Sequence, residues 1–227
     1  MEDGQAAKRF SEWQRRLSES SKAVLSVLSD SVKPLSVEEP SAEWERLRAA
    51  LLQEREGLLS LLFEADAQIP LPKGFFVGED ERKATYRAVC RLLGVLEVRV
   101  RKIRTLSLTL SQILASLAKQ QKDTVRAEML LWEVGQAAKS MTDDPTRQAV
   151  DAMRQDLTHT KRKASELLAA LKGTEQSLRT LCSTTLSDFC TRMYAFADME
   201  HDGAACNPAS VARLCGELRA VLEALTL

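Results

Sequence analysis

The chain has 227 residues, with 32 basic and 32 acidic side chains and a formal net charge of zero at pH 7. That balance gives no global electrostatic case for nucleic acid or an anionic membrane, and no apolar run reaches the ~18 residues that mark a transmembrane helix. Nine glycines, six prolines and 5% aromatics, against abundant Leu, Ala, Glu, Arg, Lys, Gln and Ser, point to long helices or a coiled coil; period-two runs and Asn-Gly or Asp-Gly hairpins, the signals of strands, are missing.

The first helix is expected from about Lys8 to about Lys33, where Phe10, Trp13, Leu17, Val24, Leu28 and Val32 share one stripe. Pro34 disfavours helix in the residue before it and ends the run. A second helix is expected from near Ser41, a good N-cap followed by Glu43 and Glu45, where the helix dipole favours acids. Its stripe is Trp44, Leu47, Leu51, Leu58, Leu61 and Leu62, and it ends before Pro70. The connection AQIPLPKGFFVGEDER, residues 67–82, is unusually apolar, carrying Ile69, Leu71, Phe75, Phe76 and Val77. Connections lie on the surface and are usually polar, so these side chains either cover their own helices or meet another chain.

The third helix carries the longest signal. Heptads read from Tyr86 place Tyr86, Leu93, Val100, Ser107 and Leu114 at one core position and Val89, Leu96, Ile103, Leu110 and Leu117 at the other. All but Ser107 are apolar or aromatic, which is coiled-coil spacing over about five heptads. Gln121 and Thr124 then fail the pattern, and the apolar phase moves to Val125, Met129 and Trp132, a stutter or bend. Extended to about Lys139, the helix would be roughly 80–90 Å long at ~1.5 Å per residue, which predicts an elongated molecule. A break follows near 140–145, where Asp144 and Pro145 pair an N-cap with a first-turn proline. The fourth helix carries Leu157, Ala164, Leu171 and Leu178 at strict sevens, and continues through Phe189, Met193 and Phe196. Asn207 and Pro208 repeat the cap-then-proline signal for a short last helix with Val211, Leu214, Leu218 and Leu222.

The fold expected is therefore all-α: an N-terminal helical hairpin over 1–69, an apolar Pro/Gly connection over 70–81, long coiled-coil helices over 82–200, and a short helix over 201–227. Charge is uneven along it. Residues 34–81 hold 11 acids and 4 bases, whereas residues 82–104 hold 8 bases and Glu97 alone. Antiparallel pairing of these helices would neutralise both; the alternative is an exposed basic stripe for a phosphate-bearing surface.

Chemistry is sparse. His159 lies in DLTHTKRK on a solvated helical face, and His201, near Glu200, Asp202 and Cys206, lacks the ligand spacing of a zinc site. There is no glycine-rich phosphate loop, and no nucleophile has a base at a recognisable spacing. The tryptophans Trp13, Trp44 and Trp132, one per helix, are read as core anchors. The sequence thus predicts no enzyme, cofactor or metal. The N-terminal MEDGQAAKRFSEWQ lacks the apolar core of a signal peptide, and five cysteines (Cys90, Cys182, Cys190, Cys206 and Cys215) without tight spacing fit a reducing compartment.

Surfaces remain. Phe63–Glu64, Ile69–Pro70 and Leu71–Pro72, followed by the leucine-rich helix, resemble the minichromosome-instability family of kinetochore subunits, members of the four-chain MIND complex. Lys73 stands where that family carries an acid. The resemblance implies a nuclear scaffold strand in a rod that links centromeric chromatin to microtubule-binding proteins in chromosome segregation, with Ile69, Leu71, Phe75, Phe76 and Val77 packing on a sister subunit. The heptad seam Leu93, Leu96, Val100, Ile103, Leu110, Leu114 and Leu117 is the second expected contact with other coiled-coil subunits, unless it closes within the chain. LSDFCTRMYAFADMEHDGAA resembles the last long helix of the membrane-binding domains of sorting nexins, which implies instead a cytoplasmic dimer on curved endosomal membranes. Direct nucleic-acid binding is not expected under either reading.

Overall fold

A computed structural model describes residues 37–70, 77–139, 144–198 and 207–227, together with Glu12, Arg15, Glu19, Ala23 and Ser26, which are helical and exposed. The protein is all-α, with no strand among the described residues: α1 Glu38–Gln68, α2 Glu79–Lys139, α3 Asp144–Thr180, a π-helical turn Leu181–Thr185, α4 Leu186–Asp198 and α5 Pro208–Ala224. The stripe expected at Phe10 to Val32 and the loop residues 71–76 lie outside the described residues.

Local chemistry explains the helix ends. α1 begins ahead of the expected cap: the Ser41 N–H already donates to Val37 O at 3.1 Å, so Ser41 sits within the first turn, where Glu38 and Glu39 supply the acids. At the other end the Ile69 N–H closes on Ala65 O, and Pro70 has no N–H to continue the ladder. α2 starts at half of a capping box, in which the Gly78 N–H donates to Glu81 Oε2 at 2.9 Å while glycine has no side chain to return the bond. α5 follows the expected signal, the Ala209 N–H donating to the Asn207 side chain at 2.9 Å with Pro208 in the first turn.

The long seam of α2 differs from the expected one at its C-terminal end. Val89, Leu96, Ile103, Leu110, Leu117, Thr124 and Leu131 stand at strict sevens, and each is at most 3% exposed. The heptad therefore keeps its phase instead of stuttering, and Val125, Met129 and Trp132 are left exposed, Trp132 by 60%. Thr124 holds a core position because its hydroxyl donates to Gln120 O at 2.8 Å, which leaves only the methyl to pack. Thr85, fully buried, does the same with Glu81 O at 2.7 Å.

The seam of α3 runs Val150, Leu157, Ala164, Leu171 and Leu178, all buried. It then skips one residue, because the next buried members of the same row are Leu186 and Met193, with Leu181 and Phe189 buried beside them. The π-helical turn absorbs the extra residue: the Leu186 N–H donates to Leu181 O, five residues back rather than four. A continuous helix can thus change register by one residue without losing its buried face.

The helices divide into two compact units: Met1–Ser41 with Leu114–Ala169, and Ala42–Ile113 with Ala170–Leu227. Most of the first half of the expected hairpin of residues 1–69 lies outside the described residues. In the first, Ala127, Leu131 and Leu157 form a core flanked by Met153, and Lys161 pairs with Glu128 at 2.9 Å. In the second, the chain's end is tied to α1: Arg48 donates to Leu227 O, Arg55 donates to Leu225 O, and Arg219 pairs with Asp66 at 2.8 Å. Cys215 lies buried beside that pair, and its thiol is pushed up to about 12, chiefly by burial, with Asp66 adding and Arg219 opposing. Only a thiolate reacts quickly with a maleimide. Native labelling followed by peptide mapping is therefore expected to modify the exposed Cys90 and spare Cys215 until denaturant is added; equal labelling of both in the native protein would contradict this packing.

Candidate helix-docking groove

The seam residues expected to meet a partner are occupied. Leu93, Leu96, Val100, Ile103, Leu110, Leu114 and Leu117 are all buried by the chain itself, so the seam closes internally. Ile69 is also core, at 7% exposure, and Val77 is half-buried. Leu71, Phe75 and Phe76 lie outside the described residues. Of the tryptophans, Trp44 is buried as expected, Trp132 is exposed, and Trp13 lies outside the described residues.

What remains open is a trough in the second unit between α1 and α2. It consists of two adjoining depressions of about 470 and 500 Å³ that share Ala50 and Leu106. Leu47, Ala50, Val98, Leu106 and Ile113 supply its apolar surface, and Val98 is 51% exposed. Gln53, Thr105, Thr109 and Gln112 add neutral polar groups, and Arg46, Arg101, Lys102, Glu43 and Glu54 the charges. Beyond the trough, Arg87, Arg91 and Val95 continue the exposed face of α2 in steps of four residues.

Of the two acids that line the trough, Glu54 is spent within the protein, whereas Glu43 has no cation partner among the described residues. Glu54 is buried and accepts from Arg99 at 3.0 Å and from Lys102 at 3.3 Å. Glu97, at the outer edge of α2, accepts from the Tyr194 hydroxyl of α4 and from Arg101 at 3.2 Å. The Tyr194 hydrogen bond, then Arg101, hold the Glu97 carboxyl below its ordinary range. The expected neutralisation of α2 by α1 is thus narrow: Glu54 takes two cations, while Arg91 donates to the neutral Gln68 at 3.2 Å and Asp66 turns to α5. Arg46 donates to its own helix's Ala42 O, and Arg87 has no ion pair among the described residues.

Gly57 makes the central pair possible. A Cβ at that position would lie 2.0 Å from Arg99 Nη1, so the guanidinium crosses the helix where a side chain is missing. The first unit repeats the device. A Cβ on Gly135 would lie 2.3 Å from Arg154 Nη2, which donates to Leu131 O at 3.2 Å.

No group of three or more potential metal ligands occurs among the described residues. His159 is exposed on α3, and His201 lies outside the described residues. No described helix is long and apolar enough to cross a membrane. The groove was not legible in the sequence, because each helix contributes only a shoulder to it. A weak signal was present in Val95 and Val98, which stand outside the heptad core positions. No family model, no curated protein and no solved structure matches the chain.

Proposed function

We propose that this chain is a non-enzymatic helical scaffold subunit of a hetero-oligomeric assembly. What supports the reading is the division of its apolar residues. The heptad seams are consumed in its own core, yet large apolar side chains stay open on both units: Phe63, Val98 and Leu108 on one, and Val125, Met129 and Trp132 on the other. Exposed apolar groups gathered on one face mark interaction surfaces, and Val125, Met129 and Trp132, at steps of four and three residues, share one face of α2; the described residues assemble no catalytic constellation. A place in the kinetochore rests on the resemblance alone; within it, Phe63 is the natural contact, being 69% exposed.

A closed seam leaves no long stripe for self-pairing. Sedimentation equilibrium of the purified chain is therefore expected to give a monomer at micromolar concentration. A stable dimer that co-sediments with anionic vesicles would instead favour the membrane-curvature reading.

A further inference from the structure

We propose that the trough between α1 and α2 receives an amphipathic α-helix of a partner protein, with Asp and Glu flanking that helix's apolar stripe. This deepens the scaffold reading and rests on it.

Shape argues for a helix. The α2 lining runs from Val98 to Ile113, about 22 Å at ~1.5 Å per residue, which matches four helical turns. A strand-like peptide needs an open sheet edge and a polyproline peptide an aromatic-lined groove, and the trough's lining has neither, whereas a helix needs only a groove for one face. The apolar surface of Leu47, Ala50, Val98 and Leu106 offers that face a place to lie.

Charge argues for acid. Glu54 is buried under two cations and Glu97 is held by Arg101 and Tyr194, so neither opposes an incoming carboxylate strongly. Arg46 carries no carboxylate partner among the described residues, and Lys102, 59% exposed, keeps donors facing solvent. Arg87 and Arg91 extend the same sign past the end of the trough. Glu43 is the one lining acid with no cation partner among the described residues, and it places the less favourable end of the trough near the start of α1. Complementary charge of this kind selects the partner and its orientation more than it adds affinity.

The test uses the full chain and two labelled helical peptides of about 16 residues with the same leucine stripe, one flanked by Glu and one by Lys. Fluorescence anisotropy at low salt is expected to give the Glu peptide at least about tenfold tighter binding, with the preference shrinking as salt rises. The double variant Arg46→Glu, Arg101→Glu changes exposed side chains, so circular dichroism should show an unchanged fold, and the preference should reverse. Equal binding of both peptides, a Lys preference, or no binding of either up to about 1 mM overturns the proposal. Binding to phosphatidylcholine–phosphatidylserine vesicles that the Glu peptide does not compete also overturns it, in favour of a lipid surface. If the peptides fail while the chain isolated from cells still carries stoichiometric partners, the groove chemistry falls and the scaffold reading stands. If the chain also emerges alone, both fall.

Discussion

Deleting Ser183 is expected to leave the protein folded and within about 1 kcal/mol of its parent stability, whereas deleting Lys163 is expected to cost about 3 kcal/mol or more. Both residues are exposed and both lie in the continuous helical run of α3, the π turn and α4. Composition offers no reason for a difference. Register does. Leu178 and Leu186 stand eight apart, and the π turn between them hides the surplus residue. Removing Ser183 restores a spacing of seven and lets the turn relax to ordinary i→i−4 bonding. Removing Lys163 instead rotates one side of the helix by ~100° relative to the other. Either Val150 and Leu157, or Ala164, Leu171 and Leu178, must then leave their buried positions. Each large aliphatic side chain so exposed forfeits roughly 1.5–3 kcal/mol, a large share of a typical domain's 5–15 kcal/mol. Thermal and urea denaturation followed by circular dichroism measures both variants. Equal loss in the two would mean that the π turn is not a register device.

The second expected result is a reversal of sign between two glycines. Gly→Ala inside a helix normally stabilises by up to ~1 kcal/mol, because alanine loses less backbone entropy on folding. Gly94→Ala should follow that rule, since nothing lies within 4 Å of the added methyl. Gly57→Ala should break it. Its methyl would occupy the space of the Arg99 guanidinium, which must swing away from Glu54. Glu54 is buried and would keep only the more exposed Lys102. A hydrogen bond to a charged group contributes ~1.5–3 kcal/mol, so the balance for Gly57→Ala is a loss of about 1 kcal/mol. In a double variant with Arg99→Met the penalty of Gly57→Ala should largely vanish, since the side chain it displaces no longer carries the bond. Chemical denaturation of the four proteins checks the cycle. A stabilised Gly57→Ala would mean that the Arg99–Glu54 pair contributes nothing.

These cases mark where the sequence could and could not be read. The heptads of α2 from Val89 to Leu117 and those of α3 were visible as spacing, since burial of one helical face imposes that period regardless of partner. Thr124 hides the phase, because a hydroxyl reads as polar although this one closes on a carbonyl of its own helix, and the apolar Val125, Met129 and Trp132, which the structure exposes, then imitate a shift. The eight-residue step from Leu178 to Leu186 was present in the sequence as a register signal, and Phe189 and Met193 concealed it by continuing the stripe. Gly57 carried no local signal at all, for its reason is an arginine on another helix. The groove was hidden for a related cause: it exists only once α1 and α2 are side by side. Of the apolar connection, Ile69 belongs to the chain's own core, and Leu71, Phe75 and Phe76 lie outside the described residues.

The measurement that bears most directly on the scaffold account is affinity isolation of the tagged chain from its own cells under gentle conditions, with the co-purifying proteins identified and quantified by mass spectrometry. The account predicts a constant set of helical proteins at stoichiometric ratio to the chain, reduced when Val98→Asp places a charge in the trough. Recovery of the chain alone, as a self-dimer, or with lipid and coat proteins would contradict it.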